Sequence, residues 1–412
     1  MTLNAQRIMI VSGESSGELY GAMLAKALKN RNPDIIITGV GGDRMQAAGV
    51  SLISRISSSF GITEAIKTYS EIRETFKSIV SYFKTFKPQV VVLIDYPDFN
   101  MKVAKEAKKL GIKVLYYVSP QVWAWRKGRV KTIGRFIDKM AVILPFEEEI
   151  YRNEGIPCEF VGHPVFDEIR EVLEEIRNQK SEVRGQKTED RSSDMVSQEL
   201  KLKVRKELGL HLDEPVMVLM PGSRTHEIKK LLPVMYDVIT KMKEMHPDYQ
   251  FVIPVAPNLG HDTLSAIDEF KRNAHHTLHF THNAVKALMA SDIAVIASGT
   301  SALQAALIGV PMVIVYKLSP LTYFIGRLVV KIRHISLVNI LLDYLGDHGL
   351  RVRELLQRDA NVKNILEEVS RIITDSDYSN MMLSQLKKVR ELFFNKQASL
   401  QVACIVEELG NV

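Results

Sequence analysis

Carboxyl and hydroxyl side chains follow the first apolar run of the chain. The run RIMIV at residues 7–11 leads into Gly13-Glu14-Ser15-Ser16-Gly17, a G-x-S-x-G string that one class of hydrolase uses to present a nucleophilic serine. Such a serine normally follows several strands of the sheet, so a nucleophilic role for Ser15 is disfavoured. Two interpretations stay open: a turn that brings Glu14 and a helix N-terminus to a ligand, or a tight connection with no further role.

Acidic and aromatic residues follow two later apolar runs. Asp95 and Asp98 come after VVVLI, where a carboxylate can take a proton from a substrate hydroxyl, although Pro followed by Asp is also ordinary turn chemistry. Trp123 and Trp125, the only tryptophans, precede Arg126, an arrangement that suits a sugar or acyl site or simple packing under a loop.

The second half of the chain carries two loops that suit phosphate. Arg224 ends the string PGSR, and a guanidinium can grip a phosphate with two hydrogen bonds. Ser298, Gly299 and Thr300 open a helical pattern, whose first backbone amides can bind an anion or can simply be capped by Ser and Thr. Two such loops in one domain favour nucleotide binding.

The elements that must position these residues alternate regularly. Short β-branched runs separated by helical patterns predict parallel strands buried on both faces, an α/β fold with two Rossmann-like domains and C-terminal helices. Four segments follow from this pattern: an N-terminal domain over residues 1–173, a polar linker or surface excursion over 174–206, a second domain over 207–376, and helices over 377–412 that join the first domain.

Composition limits the class of protein. The 412 residues carry a net charge of +6 and two cysteines, which predicts a cytoplasmic protein with anionic partners and no disulfide framework. The sequence shows no secretory signal and no run long enough to span a membrane. A nucleic-acid-binding protein is the rival class, but the positive charge is scattered and no such motif accompanies it.

Nine short motifs occur in an order that resembles the lipid-A-disaccharide synthase family. The resemblance covers about residues 7–357, and it rests on SGESSGE, DYPDFN, YVSPQVWAWR, LPFE, VGHP, PGSR, ASGTSALQ, PMVIVYK and SLVNIL. It implies a GT-B hexosyltransferase of lipid A biosynthesis that joins UDP-2,3-diacylglucosamine to 2,3-diacylglucosamine 1-phosphate (lipid X). It also implies that UDP leaves with inversion and that the enzyme needs neither metal nor cofactor.

The resemblance also implies roles for individual residues. Asp98 is the first choice for the base that deprotonates the acceptor hydroxyl, and Glu14 is the second. The residues that the resemblance assigns to UDP binding are Gly222, Ser223, Arg224, Glu227, Ser298, Gly299, Thr300, Gln304 and Asn339. The acceptor or its lipid falls to Ser16, Trp123 and Arg126. For His163, a catalytic role and a bracing role between domains both stay open.

Three positions depart from the family pattern, and they bear on donor affinity. Glu18 replaces an aspartate, Val338 replaces a proline, and Gln304 replaces a glutamate that would accept hydrogen bonds from the UDP ribose. The alternative is a GT-B enzyme acting on a water-soluble UDP-sugar, such as a UDP-N-acetylglucosamine epimerase.

Two basic stretches with apolar faces predict contact with a membrane. Residues 64–87 and 321–335 interleave Lys and Arg with aromatic and aliphatic residues, as helices in an anionic bilayer interface do, although helices packed on a sheet give the same pattern. The expected location is the cytoplasmic face of the inner membrane. Acyl-chain specificity and a homodimer stay open.

Overall fold

Two parallel β-sheets organise the chain, as the alternation of strands and helices predicted. The computed structural model describes residues 6–55, 64–125, 127–178, 195–256, 259, 264–265, 267–268, 270–271, 278–318 and 333–410. The chain divides into a first unit, Met1–Asp167 with Lys396–Val412, and a second unit, Glu168–Asn395. Each unit is built on one sheet, which confirms two Rossmann-like α/β domains followed by a helical C-terminus.

The sheet of the first unit has the strand order β3-β2-β1-β4-β5-β6-β7, with all neighbours parallel. Its strands are β1 (Arg7–Ser12), β2 (Ile36–Gly41), β3 (Ser51–Arg55), β4 (Val90–Ile94), β5 (Lys113–Tyr117), β6 (Lys139–Val142) and β7 (Cys158–Phe160). Every residue of β4 is fully buried, because helices cover both faces of a parallel sheet.

The helices of the first unit connect these strands in the right order for crossovers between parallel neighbours. They are α1 (Ser15–Arg31), α2 (Asp43–Ala47), α3 (Glu64–Phe86), α4 (Pro97–Lys109), α5 (Val122–Trp125), α6 (Val130–Gly134) and α7 (Pro145–Arg152). A short 3-10 turn, Lys127–Arg129, precedes α6. The chain passes into the second unit within the next helix, α8 (Pro164–Asn178).

The second unit repeats the same plan, with the strand order β10-β9-β8-β11-β12-β13. Its strands are β8 (Val216–Met220), β9 (Gln250–Pro254), β10 (Leu278–Thr281), β11 (Ile293–Ala297), β12 (Met312–Tyr316) and β13 (Glu354–Leu356). Its helices are α9 (Gln198–Glu207), α10 (Thr225–Met245), α11 (Ala284–Ala290), α12 (Thr300–Ile308), α13 (Leu337–Tyr344), α14 (Val362–Thr374) and α15 (Ser376–Glu391).

Two segments show how the chain is distributed between the units. Helix α15 packs on α12 and α13 and so lies in the second unit, whereas the last helix, α16 (Ala398–Gly410), packs on α1 in the first. Within the polar stretch 174–206, α9 is anchored by the buried Arg205, which donates to Asp292 Oδ2 at 2.5 Å. Residues 179–194 lie outside the described part of the chain.

Candidate active site

The loops predicted to carry chemistry follow the strands at which the order of each sheet reverses. In the first sheet β1 lies beside β4, with Ser12 opposite Ile94. In the second sheet β8 lies beside β11, with Met220 opposite Ile296. Doubly wound sheets bind their ligands outside the carboxyl ends of the strands at this reversal. The predicted residues after these four strands are therefore placed where this class of fold holds its substrates.

The loop after β4 has a strained backbone that several contacts fix. Asp95 and Tyr96 have φ angles of +49° and +47°, which residues other than glycine rarely adopt. The Asp95 carbonyl accepts hydrogen bonds from Asn100 Nδ2 and from the Tyr116 hydroxyl, each at 2.7 Å. A Cβ atom at Gly13 would lie 2.3 Å from Cγ of Tyr96, so only glycine lets β1 end against this ring. Strain held in this way concentrates at functional sites.

Asp98 lies in the first turn of α4 and is mostly exposed, with 79% of its side chain accessible. Its Oδ1 atom accepts a hydrogen bond from Arg129 Nη2 at 2.6 Å. The N-terminus of α4 also favours a negative charge at this position. Asp98 is thus an accessible carboxylate that a guanidinium holds in one orientation, as a proton acceptor for a substrate hydroxyl requires.

Glu14 is exposed and occupies the N-cap position of α1, in an extended conformation. The pKa of Tyr96 is raised by burial and then by the negative charge of Glu14, which shows that Glu14 lies near the loop after β4. Ser16 is exposed in the first turn of α1, while the Ser15 side chain lies outside the described part of the structure. Glu14 therefore stays the second candidate for the base.

Glu18 has a structural task in this chain. Its buried side chain accepts a hydrogen bond from the backbone amide of Arg44 at 2.8 Å, which caps the first turn of α2. A Cβ atom at Gly42 would lie 2.4 Å from Glu18 Oε1, so glycine leaves room for this carboxylate. Glu18 thus connects α1 to α2.

The segment after β5 is tied to a buried carboxylate that the sequence analysis gave no role. Glu147, in the LPFE motif, is 2% exposed, and its Oε1 accepts hydrogen bonds from Ser119 Oγ at 2.8 Å and from Trp123 Nε1 at 3.1 Å. Burial raises the pKa of Glu147 to about 7. Its place three residues after Leu144, the N-cap of α7, was the available signal, because capping glutamates have that spacing.

Three further residues from the sequence analysis are Trp125, Arg126 and His163. Arg126 and the side chain of Trp125 lie outside the described residues. His163 is buried, and its Nδ1 accepts a hydrogen bond from the Val165 amide at 3.2 Å, which caps the first turn of α8. Burial lowers the pKa of His163 to about 3, so the imidazole is neutral near pH 7.

The first of the two loops predicted to bind phosphate is shaped by Glu227. Gly222 has a φ of +107°, and a Cβ atom there would lie 2.3 Å from Glu227 Oε2. Arg224 is 59% exposed at the N-cap of α10, and its Nη1 lies 3.8 Å from Glu227 Oε1. Glu227 is buried and Ser223 is exposed. The buried carboxylate thus orients the loop and leaves Arg224 accessible to an anion.

The second loop predicted to bind phosphate leads into α12. Gly299 is exposed at the N-cap with a φ of +149°, and no atom lies within 4 Å of a Cβ built on it. Ser298 and Thr300 on either side are partly buried. The first backbone amides of α12 therefore lie at the carboxyl end of β11, and the space beside Gly299 is open. Anion binding by a helix N-terminus requires such open space.

Gln304 and Asn339 both hold carboxylates within the second unit. Gln304 is buried, and its Nε2 donates to Glu168 Oε2 at 2.8 Å. Asn339 is fully buried, and its Nδ2 donates to Glu354 Oε1 and to the Val352 carbonyl, both at 2.8 Å. Asn339 Oδ1 accepts from the Val352 amide at 3.0 Å. Its amide thus braces the chain before β13.

Val338 and Lys317 complete the second unit's site region. Val338, the departure from proline, is fully buried, and its amide donates to Ser336 Oγ at 3.1 Å, a cap that a proline could not make. Lys317 directly follows β12, and burial lowers its pKa. Among the residues described in this unit it has no ion-pair partner. Lys317 was given no role from the sequence, although it ends the motif PMVIVYK.

The basic helix α3 corrects part of the membrane prediction. Ile79 and Phe83 are fully buried in the core of the first unit, and Ile72 and Phe76 pack against that core. This part of the apolar face therefore covers the sheet. Phe86 is 48% exposed and stacks on Tyr82, with ring centroids 4.7 Å apart. The side chains of residues 64–69 and most of 321–335 lie outside the described residues.

None of the described helices is long and apolar enough to cross a bilayer. In the ranges that the structure describes, His, Cys, Asp and Glu side chains do not gather in groups of three or more that could hold a metal ion.

Two parallel sheets with polar loops at both strand reversals define the class of protein, a two-domain Rossmann-like α/β protein. The chain is similar to a UDP-GlcNAc 2-epimerase from Neisseria meningitidis that was solved with UDP-GlcNAc, with a TM-score of 0.62, 13% identity and coverage of 98% of this chain and 99% of the other. It is also similar to MurG of Acinetobacter baumannii, with a TM-score of 0.53, 12% identity and coverage of 98% and 99%. These likenesses show the fold.

Sequence comparison identifies the family within that class. The model of the lipid-A-disaccharide synthetase family matches residues 8–191 and 192–408. The chain is 37% identical to lipid-A-disaccharide synthase 1 of Legionella pneumophila, over 98% of this chain and 97% of the relative. It is 38% identical to the lipid-A-disaccharide synthase of Geobacter sulfurreducens, over 99% of both. The chain belongs to the lipid-A-disaccharide synthase family, glycosyltransferases of lipid A biosynthesis.

Proposed function

We propose that the protein transfers a diacylglucosamine unit from UDP-2,3-diacylglucosamine to the 6-hydroxyl of 2,3-diacylglucosamine 1-phosphate. In this reaction the acceptor oxygen forms a bond to the anomeric carbon of the donor, and the bond between that carbon and the UDP oxygen breaks. The acceptor hydroxyl loses its proton to a base, and UDP leaves with the bonding electrons. The products are the disaccharide 1-phosphate and UDP.

The first unit supplies the base in this proposal, and one observation carries it. Asp98 is an exposed carboxylate at the carboxyl end of β4, held by Arg129 at 2.6 Å. A base must be accessible to the substrate hydroxyl and fixed in orientation, and Asp98 meets both conditions. Ser16, Trp123 and Arg126 are the proposed contacts of the acceptor.

The second unit binds UDP in this proposal. Arg224 and the first amides of α12 stabilise the negative charge that develops on the departing diphosphate, and Lys317 is an additional cation at the same end of the sheet. Glu227 shapes the loop that carries Arg224. Further contacts with the nucleotide are assigned to Gly222, Ser223, Ser298, Gly299, Thr300, Gln304 and Asn339, the last as a brace of the site.

Both substrates carry acyl chains, so we place the protein at the cytoplasmic face of the inner membrane. Its net charge of +6 favours an anionic bilayer. Within the predicted stretch 64–87 the face from Ile72 to Phe83 packs on the core, so we assign this contact to the rest of that stretch and to the basic stretch 321–335. Co-sedimentation with anionic vesicles, compared with neutral ones, measures this contact.

The test of the proposed function is an assay of the purified protein with both diacylated substrates, in which disaccharide 1-phosphate and UDP are measured together. Equal molar amounts of the two products support transfer. The alternative, an epimerase of a water-soluble UDP-sugar, predicts isomerisation of UDP-N-acetylglucosamine and no disaccharide. The structural likeness to epimerases at 12–13% identity shows the fold and gives that alternative no further support.

A further inference from the structure

Glu147 joins three parts of the first unit through one buried carboxylate. Its Oε1 accepts hydrogen bonds from the Ser119 hydroxyl at 2.8 Å and the Trp123 indole at 3.1 Å. Its Oε2 accepts from the Leu144 amide at 3.2 Å. The buried hydroxyl of Tyr151 lies beside Ser119, and burial raises the pKa of this phenol. The polar cluster is therefore centred on Glu147.

The segment that Glu147 holds has an unusual conformation. Val118 has a φ of +66°, which is strongly disfavoured for a β-branched residue. Directly after it, Ser119 is tied to Glu147, and Trp123 packs edge-on against Phe146 with ring centroids 5.2 Å apart. A strained segment of this kind persists only when its surroundings fix it, and Glu147 provides two of the fixing contacts.

Burying a carboxylate costs free energy, so packing alone does not explain Glu147. Burial disfavours the charge, and it raises the pKa of Glu147 to about 7. Apolar residues of similar volume usually serve stability as well or better. The gain from the carboxylate is geometric, because one acceptor group fixes both Ser119 and Trp123 in direction as well as in distance.

The place of the segment relates it to the acceptor. It follows β5, which pairs with β4, the strand that leads to Asp98. We propose that Glu147 is a positioning residue for the acceptor sugar: it holds residues 119–125 in the one conformation that the acceptor binds, without touching the substrate. This inference deepens the proposed function and rests on it.

The experiment compares Glu147→Gln with Glu149→Gln, an exposed position on the same helix. Glutamine keeps the size of the side chain, but its Nε2 is a donor and cannot satisfy all three donors around Glu147. We expect Glu147→Gln to raise the KM for the acceptor about 10- to 100-fold, the usual effect of leaving a buried donor without its partner. The KM for the UDP-sugar and all constants of Glu149→Gln stay at the wild-type values.

Tryptophan fluorescence gives a second readout that does not depend on turnover. Trp123 and Trp125 are the only tryptophans, so in a Trp125→Phe background the emission reports on Trp123 alone. Adding Glu147→Gln to that background shifts the emission of the folded protein to the red, because the indole is no longer held by Glu147 and becomes more exposed to water. Adding Glu149→Gln leaves the emission unchanged.

Ser119→Ala and Trp123→Phe each remove one donor and keep the test decisive if Glu147→Gln fails to fold. Each raises the KM for the acceptor, and Trp123→Phe combined with Glu147→Gln costs less than the sum of the single effects. An unchanged KM for the acceptor in folded variants overturns the proposal. If the wild-type protein makes no disaccharide, the proposed function fails, and the emission of the Trp125→Phe pair still decides whether Glu147 fixes the segment.

Discussion

Arg129 Nη2 lies 2.6 Å from Oδ1 of Asp98, and this contact joins the 3-10 turn before α6 to the first turn of α4. The arginine is 34% exposed and the aspartate 79% exposed, so the pair faces solvent on its carboxylate side. One oxygen of Asp98 is occupied by the guanidinium. The proposed reaction assigns the acceptor proton to the Asp98 carboxylate that this contact orients.

Replacing Asp98 by asparagine removes the proposed base and keeps the shape of the side chain. We expect kcat to fall by about 10²- to 10⁴-fold, the usual contribution of a general base, with the KM for the UDP-sugar unchanged. Steady-state kinetics with both substrates measure this. Asp43→Asn, an exposed aspartate paired with Arg55, is the matched control and keeps wild-type kinetics.

Glu14→Gln distinguishes the two candidate bases. If Asp98 is the base, Glu14→Gln retains most of kcat while Asp98→Asn does not. Full turnover in Asp98→Asn, together with a large loss in Glu14→Gln, transfers the role to Glu14. Arg129→Met lowers kcat less than Asp98→Asn does, because the carboxylate remains but loses its fixed orientation.

Arg224 and Lys317 are predicted to bind the diphosphate. Replacing either by methionine keeps the apolar stem and removes the cation, so UDP affinity falls about 10- to 100-fold for each. Titration calorimetry with UDP measures the effect. Lys241→Met, which breaks an exposed ion pair with Glu244 on the same unit, changes affinity by less than about twofold. Equal affinities in all three variants contradict the assignment.

The contact between Gln304 and Glu168 predicts that Gln304→Glu, which restores the glutamate of the family pattern, destabilises this protein. Gln304 Nε2 donates to Glu168 Oε2 at 2.8 Å, so Gln304→Glu places two carboxylates against each other and lowers the free energy of unfolding by about 1 to 3 kcal/mol. Adding Glu168→Gln reverses the roles of donor and acceptor and recovers most of this loss. Urea unfolding of the wild type and of both variants measures these free energies. If Gln304→Glu is as stable as the wild type, the contact between Gln304 and Glu168 is ruled out.

Stability should depend on pH through Glu147. Burial raises the pKa of Glu147 to about 7 from an ordinary value of 4.5, so the folded protein binds this proton more tightly than the unfolded chain does. The stability from this group is fully present below about pH 4.5 and is lost as the pH rises through about 7. The loss amounts to about 3 kcal/mol, because one pKa unit corresponds to about 1.4 kcal/mol.

Glu147→Gln does not titrate and therefore isolates this effect. The free energy of unfolding of Glu147→Gln minus that of the wild type grows as the pH rises from 4.5 to 7, while the contributions of all other groups cancel. Urea denaturation across this range gives the difference at each pH. A difference that stays constant over the range contradicts a buried, titrating Glu147.

The sequence predicted both sheets because their strands are continuous apolar runs, such as Val90–Ile94, and such runs are typical of strands buried on both faces. It also predicted which loops lie at the strand reversals, since position after a strand is a local property. The sequence did not predict which side chains that are distant along the chain contact each other. Arg129 is 31 residues from Asp98, and no periodicity or spacing signals that their side chains meet.

Some sequence patterns fit two structural roles, and the sequence alone does not decide between them. The apolar face of α3 fits a bilayer or a sheet equally well, and only the burial of Ile79 and Phe83 decides between them. Asn339 matches a ligand-binding motif, but its amide hydrogen bonds are taken up within its own unit. Glu147 is the opposite of Asn339, because it received no role in the site from the sequence. A charged residue in a helix is usually exposed, and only the hydrogen bonds from Ser119 and Trp123 show that Glu147 is buried for a reason.

The most direct test of the account is the balance of products formed by the wild-type protein from UDP-2,3-diacylglucosamine and 2,3-diacylglucosamine 1-phosphate. We expect one UDP for each disaccharide 1-phosphate, with both products lost in Asp98→Asn. Release of UDP without disaccharide, or consumption of UDP-N-acetylglucosamine in its place, would contradict it.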